Sequence, residues 1–217
     1  MGPPRPYALP RPFPTSRMST ITVARAGGRL AMSADALTTF DETRLPPEMD
    51  AAGEKIVRVE TPRGEAYVGI VGYTAHVLVV QDALERMEDA DLSSRRGIFE
   101  TFRALHPVLK EDYYLLPDSG QEGDPYESTQ VSLLVAAPTG LFGVYDMREV
   151  HEFSRFWAMG SGAAYALGAM HARWPEAERG GLGADALAAA GVEAGCLFDR
   201  SSAPPVQTVT LDAAGDE

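Results

Sequence analysis

The chain has 217 residues, 45% of them hydrophobic, and a formal net charge of -12, which is typical of one soluble globular domain. Arginine and lysine form no basic cluster, so we do not expect nucleic acid to be a partner. The sequence has no run of eighteen apolar residues, and its first eighteen residues lack the apolar stretch of a signal peptide. We therefore expect a cytoplasmic protein that does not span a membrane.

Residues 1–17 differ in composition from the rest of the chain, because they are rich in proline and arginine and contain no acidic residue. Such a segment favours neither helix nor strand, so we expect a disordered extension. It is a propeptide, a proline-rich docking tail, or the product of a start codon assigned too early. We favour the last interpretation, with Met18 as the true start and residues 18–217 as one domain.

The first half of this domain predicts strands followed by helices. Ile21 and Val23 precede a turn at Gly27 and Gly28, and residues 30–34 return from it, which predicts a hairpin ending at Asp35. After a polar loop with Pro46 and Pro47, residues 55–59 and 66–71 predict a second hairpin. Helical spacing follows over 74–87 and from about 95 to 109, where Pro107 and an acidic region end the helix.

The second half repeats this order. Residues 117–128 predict a loop, residues 131–137 and 140–145 predict strands, residues 161–173 and 182–194 predict helices, and residues 206–211 predict a last strand. This order favours an α+β fold, a four-layer αββα sandwich in which two antiparallel sheets lie between helical layers.

Ser19 and Thr20 carry the first functional signal, because a start at Met18 would leave a hydroxyl residue at the free N-terminus of a strand. There the α-amine can act as the base for the hydroxyl nucleophile. The hairpin returns Asp35 to the edge where Ser19 lies, and an Asp beside Lys55 can tune the groups that lose a proton. Ser161, between Gly160 and Gly162, is a further polar group before a helix. Each residue alone also has an ordinary explanation as a strand end, a turn former, a solvated lysine or a helix cap.

Five ordered motifs resemble the proteasome-type peptidases, especially the peptidase subunit of the bacterial two-component ATP-dependent protease and its bacterial proteasome-like homologues. The resemblance covers nearly all of residues 18–211. The motifs are Met18-Ser19-Thr20-Ile21, Ser33-Ala34-Asp35, Glu54-Lys55-Ile56, the glycine-rich segment 69–75, and residues 159–166 around Gly160-Ser161-Gly162.

The resemblance implies an N-terminal nucleophile peptidase of the threonine type, which forms an acyl-enzyme inside a self-compartmentalising ring. It implies Ser19 as nucleophile, with Thr20 behind it, Asp35 and Lys55 as tuning pair, and Ser161 as support for the amine. It also implies the Gly72 N–H as oxyanion donor, and Ile70 and Thr74 as substrate-binding residues. The substrate would be a peptide or an unfolded protein, and the assembly a homo-oligomer.

The sequence departs from the family pattern at several places. Serine replaces the usual threonine nucleophile, and it lacks the methyl group that restricts the side-chain rotamer. The loop between Asp35 and Lys55 looks longer than in the two-component protease, and His76 stands where an acidic residue is common. A late acidic residue with a following serine is not clear, since Glu193, Asp199, Ser201 and Ser202 all lie nearby.

No cofactor or metal is expected. The single cysteine, Cys196, lies in an apolar stretch typical of an inert buried thiol, and His106, His151 and His171 lack the spacing of metal ligands.

Two other functions remain open: an amidase of the same fold that acts on a small substrate, and a non-catalytic subunit whose N-terminus stays blocked by residues 1–18. The sequence leaves ring size and any ATPase partner undetermined.

Overall fold

The computed structural model describes residues 19–40, 43–116 and 125–215. The predicted N-terminal extension, residues 1–17, lies outside these ranges, as does most of the predicted loop at 117–128. In chain order the elements are β1 Thr20–Ala26, β2 Arg29–Asp35, β3 Thr38–Phe40, β4 Thr43–Leu45, β5 Ile56–Thr61, β6 Gly64–Val71, α1 Ala75–Glu85, α2 Arg95–Glu111, β7 Ser132–Ala137, β8 Gly140–Val144, β9 Val150–Phe153, β10 Phe156–Gly160, α3 Ala163–Glu178, α4 Ala184–Phe198 and β11 Val206–Asp212.

The first sheet has the strand order β10-β1-β2-β11, and every neighbouring pair is antiparallel. Strands β1 and β2 form the predicted hairpin. Gly27 and Gly28 have φ values of +59° and +74°, a backbone region that side chains rarely adopt, so glycine permits this tight turn. Because Ile21 pairs with Ala34, the start of β1 lies beside Asp35 at the end of β2.

The second sheet has the order β5-β6-β7-β8-β9 and is also antiparallel throughout. The predicted hairpin of β5 and β6 is present, and so are β7 and β8. Strands β9 and β10 are an addition to the sequence prediction. Both are short, and β9 does not alternate between buried and exposed residues, so it lacks the two-residue period of a half-buried strand. Between them, Ser154 and Arg155 carry the chain from one sheet to the other.

Three apolar clusters hold these elements together. One joins the two sheets and includes Ile21, Met32 and Leu134. A second packs α1 and α2 on the second sheet, and the third packs α3 and α4 on the first sheet. Burying each large apolar side chain in such a cluster contributes about 1.5–3 kcal/mol. The α+β class is therefore confirmed, with two large sheets, one two-stranded sheet and four α-helices in the described residues.

The helices agree with the predicted segments but differ at their ends. Helix α2 begins after Ser94, whose side chain accepts a hydrogen bond from the Gly97 N–H. It continues through Pro107 to Glu111, although the sequence predicted an end at about Leu109. A proline inside a helix removes one backbone donor without ending the helix when the apolar face stays packed, as it does here at Leu105 and Leu109.

The segment between β2 and β5 contains the short hairpin β3–β4 and a single 3₁₀ turn, Pro47–Met49, where the sequence predicted only a polar loop. None of the helices in the described ranges has the length and apolar character that a membrane span requires.

Candidate functional site

Ser19 and Thr20 point to opposite faces of the first sheet, because successive residues of a strand alternate. Ser19 shares its face with Ile21 and Val23, which belong to the cluster between the sheets, and it lines a cavity of about 150 Å³. Thr20 shares its face with Thr22, whose hydroxyl donates to the Ala188 carbonyl in α4. Only the Ser19 hydroxyl therefore lies on the side of the cavity.

Five of the residues predicted from the sequence line this cavity: Ser19, Lys55, Ile70, Gly72 and Thr74. They come from the start of β1, the residue before β5, the end of β6 and the turn into α1. Apolar side chains, including those of Leu37, Val77 and Leu78, form much of the remaining wall. The structure thus brings together residues that are up to 55 positions apart, from Ser19 to Thr74.

Gly72 lies where β6 ends and has a φ of +110°, a conformation that a residue with a Cβ rarely adopts. A Cβ added there would meet no atom within 4 Å, so the backbone conformation, and not space, explains the glycine. The resulting turn places the Gly72 backbone in the wall that contains Ser19.

Asp35 and Lys55 form the predicted pair, with 2.9 Å between Lys55 Nζ and Asp35 Oδ1. The Asp35 side chain is fully buried, and that of Lys55 is 11% exposed. Asp35 also accepts hydrogen bonds from the backbone N–H groups of Thr20, Leu37 and Ala203 at 2.9–3.2 Å. These donors compensate the buried carboxylate, and Asp35 thereby fixes the start of β1 relative to Lys55.

Ser161 contacts the Ser19 backbone. The Ser19 nitrogen donates to Ser161 Oγ at 3.3 Å, and Ser161 Oγ donates to Asp199 Oδ2 at 2.7 Å. While Met18 precedes Ser19, this nitrogen is a peptide N–H, and cleavage of the Met18–Ser19 bond would convert it into an α-amine at the same place. Ser161 Oγ therefore lies within hydrogen-bond distance of the atom that would become the amine.

Asp199 and Ser202 are site residues that the sequence did not single out from four candidates. Ser202 Oγ donates to Asp199 Oδ2 at 2.7 Å, so the same carboxylate oxygen receives hydrogen bonds from two serines. The two residues lie in the turn after α4, where the Ser202 N–H also donates to the Asp199 carbonyl. Their three-residue spacing, Asp-x-x-Ser, was the signal in the sequence, since it is the spacing of a tight turn.

Thr20 contacts the Asp199–Ser202 group through its side chain. Its hydroxyl lies 2.7 Å from Ser202 Oγ, and the residue is fully buried outside the wall of the cavity. The structure thus places Ser19 at the cavity and Thr20 in the polar group behind it.

Two further titratable residues lie near the site. Burial, and to a smaller degree the charge of Asp35, raises the pKa of the half-buried Cys196 thiol to about 11, so the thiol stays protonated at neutral pH. Burial also lowers the pKa of His76, whose ring meets the Tyr73 ring edge-on. Neither residue has the properties of an activated nucleophile. Within the described ranges no group of three or more His, Cys, Asp or Glu side chains could hold a metal ion.

This geometry can support hydrolysis of an acyl compound. The site contains the components of an N-terminal nucleophile site. They are the Ser19 hydroxyl at the cavity, the backbone nitrogen of the same residue, the Lys55–Asp35 pair and the turn at Gly72.

Comparisons with known proteins agree with this geometry. A scan of protein-family models and a search of curated proteins found no match. Among solved structures, BPH from Thiobacillus denitrificans is 37% identical, with a TM-score of 0.80 over 91% of this chain and 100% of that one. Its complex with epoxomicin matches at 36% identity and a TM-score of 0.80, over 90% of this chain and 100% of that one.

A more distant structure shares the fold. Eukaryotic HslV from Trypanosoma brucei is 19% identical, with a TM-score of 0.61 over 89% of this chain and 99% of that one. The Thiobacillus protein is a bacterial proteasome-like protein and carries the stronger evidence, because its identity extends over its full length. The resemblance inferred from the five motifs is therefore confirmed, and the chain belongs to the proteasome-type N-terminal nucleophile peptidase family.

Proposed function

We propose that this N-terminal nucleophile peptidase uses Ser19 as its nucleophile, after the Met18–Ser19 bond has been cut. The observation that carries the proposal is the position of Ser19. It lies in the wall of the cavity that Lys55 and Gly72 also line, and its nitrogen is within hydrogen-bond distance of Ser161 Oγ. Thr20, the other candidate hydroxyl, lies on the opposite face of the strand, where it contacts Ser202 and does not line the cavity.

The reaction then follows the chemistry of an activated hydroxyl. The Ser19 amine accepts the hydroxyl proton while Oγ attacks the peptide carbonyl, and the oxyanion forms beside the Gly72 N–H. The C–N bond breaks as the ammonium group returns the proton to the leaving amine, which leaves an ester on Ser19. Water, deprotonated by the same amine, attacks this ester and releases the acid product together with the free Ser19 hydroxyl. Lys55 is held by its ion pair with Asp35, and its positive charge favours loss of the proton from the Ser19 hydroxyl.

The lining and size of the cavity favour peptide substrates with a medium-sized apolar side chain at the position that enters it. Ile70 and Thr74 line it together with Leu37 and Val77, and its volume of about 150 Å³ suits one side chain. Binding sites of this kind are mostly apolar with a few oriented polar groups. The Thiobacillus relative binds epoxomicin, a threonine-protease inhibitor, and this supports a peptidase substrate for this chain as well.

We also propose the four-layer αββα arrangement and a closed homo-oligomeric ring. The three apolar clusters support the order helices, sheet, sheet, helices. Exposed apolar residues support assembly, since Tyr165 of α3 and Phe198 of α4 have ring centroids 5.5 Å apart and are 46% and 64% exposed. Such a paired patch is typical of a protein–protein contact.

One native mass spectrometry experiment tests the nucleophile and the assembly together. We expect the subunit mass of a chain beginning at Ser19, since an aminopeptidase removes methionine before serine when translation starts at Met18. We expect these subunits in a complex of many copies. Subunits that retain residues 1–18 would contradict the catalytic proposal and favour the non-catalytic subunit. Processed monomers or dimers would favour the small-substrate amidase.

Replacement of Gly72 tests the oxyanion role. Gly72→Ala is expected to lower kcat by about 100-fold, since a Cβ disfavours the positive φ that orients this N–H. Gly64→Ala is the matched control, because Gly64 begins the same strand with a φ of +122° and also has open space at its Cβ. Both variants should lose about 1–3 kcal/mol of stability, measured by urea unfolding. Equal kcat values for the two variants would remove Gly72 from the mechanism.

A further inference from the structure

The Thr20 side chain is closely packed on both sides by backbone, which restricts the orientation of its hydroxyl. The residue is fully buried, and a Cβ added at Gly162 or Gly195 would collide with Thr20 Oγ1. These two glycine backbones therefore form a socket around the side chain. The polar atom that the hydroxyl meets in this socket is Ser202 Oγ, at 2.7 Å.

The direction of the Thr20–Ser202 hydrogen bond follows from counting protons. Each hydroxyl carries one proton, and Ser202 already donates its proton to Asp199 Oδ2. Ser202 Oγ can then only accept from Thr20, although the distance alone allows either direction. Ser161 Oγ lies 2.7 Å from Asp199 Oδ2 and 3.4 Å from the Ser19 carbonyl oxygen, so its one proton goes to the nearer carboxylate and Ser161 accepts from the Ser19 nitrogen. The hydrogen bonds thus run from Thr20 through Ser202 to Asp199, and from Ser19 through Ser161 to the same oxygen.

The backbone of Thr20 makes a second connection. Its N–H donates to Asp35 Oδ1 at 2.9 Å, and the same oxygen accepts from Lys55 Nζ at 2.9 Å. Thr20 is therefore bonded to both polar groups that flank Ser19: the Asp35–Lys55 pair through its amide, and the Asp199 group through its hydroxyl.

We propose that Thr20 is a positioning residue, whose hydroxyl fixes Ser202 and Asp199 so that Ser161 orients the Ser19 amine. This inference rests on the proposed role of Ser19. Thr20 does not touch substrate, because it lies outside the cavity. Its effect on the reaction passes through the lone pair of the amine, which must face the Ser19 hydroxyl while Ser161 accepts an N–H.

Thr20→Val tests the proposal, because valine keeps the shape of threonine and removes the hydroxyl. With processed enzyme, verified by its mass, we expect kcat to fall about 5- to 10-fold with little change in KM, as for the loss of one hydrogen bond. The acid limb of the pH profile of kcat/KM should also move to lower pH. A less ordered Ser161 stabilises the ammonium form less and so lowers the pKa of the amine. Thr20→Ser should restore both values.

Thr22→Val is the matched control. Thr22 is equally buried on the same face of the same strand, and its hydroxyl donates to the Ala188 carbonyl at 2.8 Å. Its replacement should cost similar stability but leave kcat and the pH profile unchanged. If Thr20→Val and Thr22→Val have the same kinetics, Thr20 is merely structural and the proposal is overturned.

A second measurement applies if Thr20→Val fails to fold or mature. Ser202→Ala removes the acceptor of the Thr20 hydroxyl and should produce the same shift of the acid limb. An unshifted acid limb in Ser202→Ala would overturn the proposal. Failure of the proposed function has a different signature, since full activity of Ser19→Ala would remove Ser19 itself as the nucleophile.

Discussion

Ser19→Ala is expected to lower kcat/KM for peptide hydrolysis by about 10⁴-fold or more and to leave the protein folded. The substitution removes the Oγ atom that forms the acyl ester, and such losses are typical when a covalent nucleophile is deleted. The fold should survive because the contacts that hold the start of β1, those of Thr20 with Asp35 and Ser202, remain. Initial rates on a fluorogenic peptide, with circular dichroism melts of the same samples, measure both effects.

Ser19→Thr provides the matched control, since it keeps the hydroxyl and adds the methyl group that the family usually carries at this place. We expect it to retain activity within about tenfold of the parent chain, because a β-branched residue restricts χ1 without changing the reactive atom. Full activity of Ser19→Ala would mean that another residue is the nucleophile, and it would refute the assignment of Ser19.

Lys55→Met should affect stability and activity together. Methionine fills a similar volume but leaves the fully buried Asp35 carboxylate without its cation. Removing one partner of a buried ion pair costs about 3–5 kcal/mol, and we expect the lower value because three backbone N–H groups still bind Asp35. Loss of the positive charge beside Ser19 should reduce kcat by about 100-fold. Urea unfolding and steady-state kinetics measure the two effects.

Arg58→Met is the control for this experiment. Arg58 lies three residues further along the chain and pairs with Glu65 at 2.6 Å, but its side chain is 55% exposed. Exposed pairs of this kind contribute about 0–1 kcal/mol, so the control should change neither stability nor kcat by much. If Lys55→Met were as mild as Arg58→Met, the Asp35–Lys55 pair would not be the central support of the site.

The position of Asp35 could be predicted from the sequence because local rules determine it. Two glycines close the β1–β2 turn, and the antiparallel register then returns Asp35 to the start of β1. Lys55 was singled out as a polar residue at a strand end, but Gly72 and Thr74 were found only through the resemblance of their motifs, since no local rule says which cavity a strand end will face. The structure places all three in the wall of the cavity that contains Ser19.

Asp199 and Ser202 could not be chosen from the sequence alone. They lie 180 or more residues from Ser19, and their role depends on how the end of α4 packs against β1, a contact between distant parts of the chain. The placement of Ser19 and Thr20 on opposite faces of the strand could, however, be predicted from the sequence. The two-residue period of a strand already implies that adjacent hydroxyls cannot enter one pocket.

Because the Ser19 and Thr20 hydroxyls point to opposite faces of the sheet, an active subunit requires cleavage at the Met18–Ser19 bond and not one bond later. A cut one bond too late, after Ser19, would leave Thr20 as the first residue, with a free amine and a hydroxyl of the usual family type. Its Oγ1 would still face α4 inside the socket of Gly162 and Gly195, on the far side of the sheet from the cavity. An error of a single residue at the N-terminus would therefore yield a folded but inactive subunit, which the second hydroxyl could not rescue.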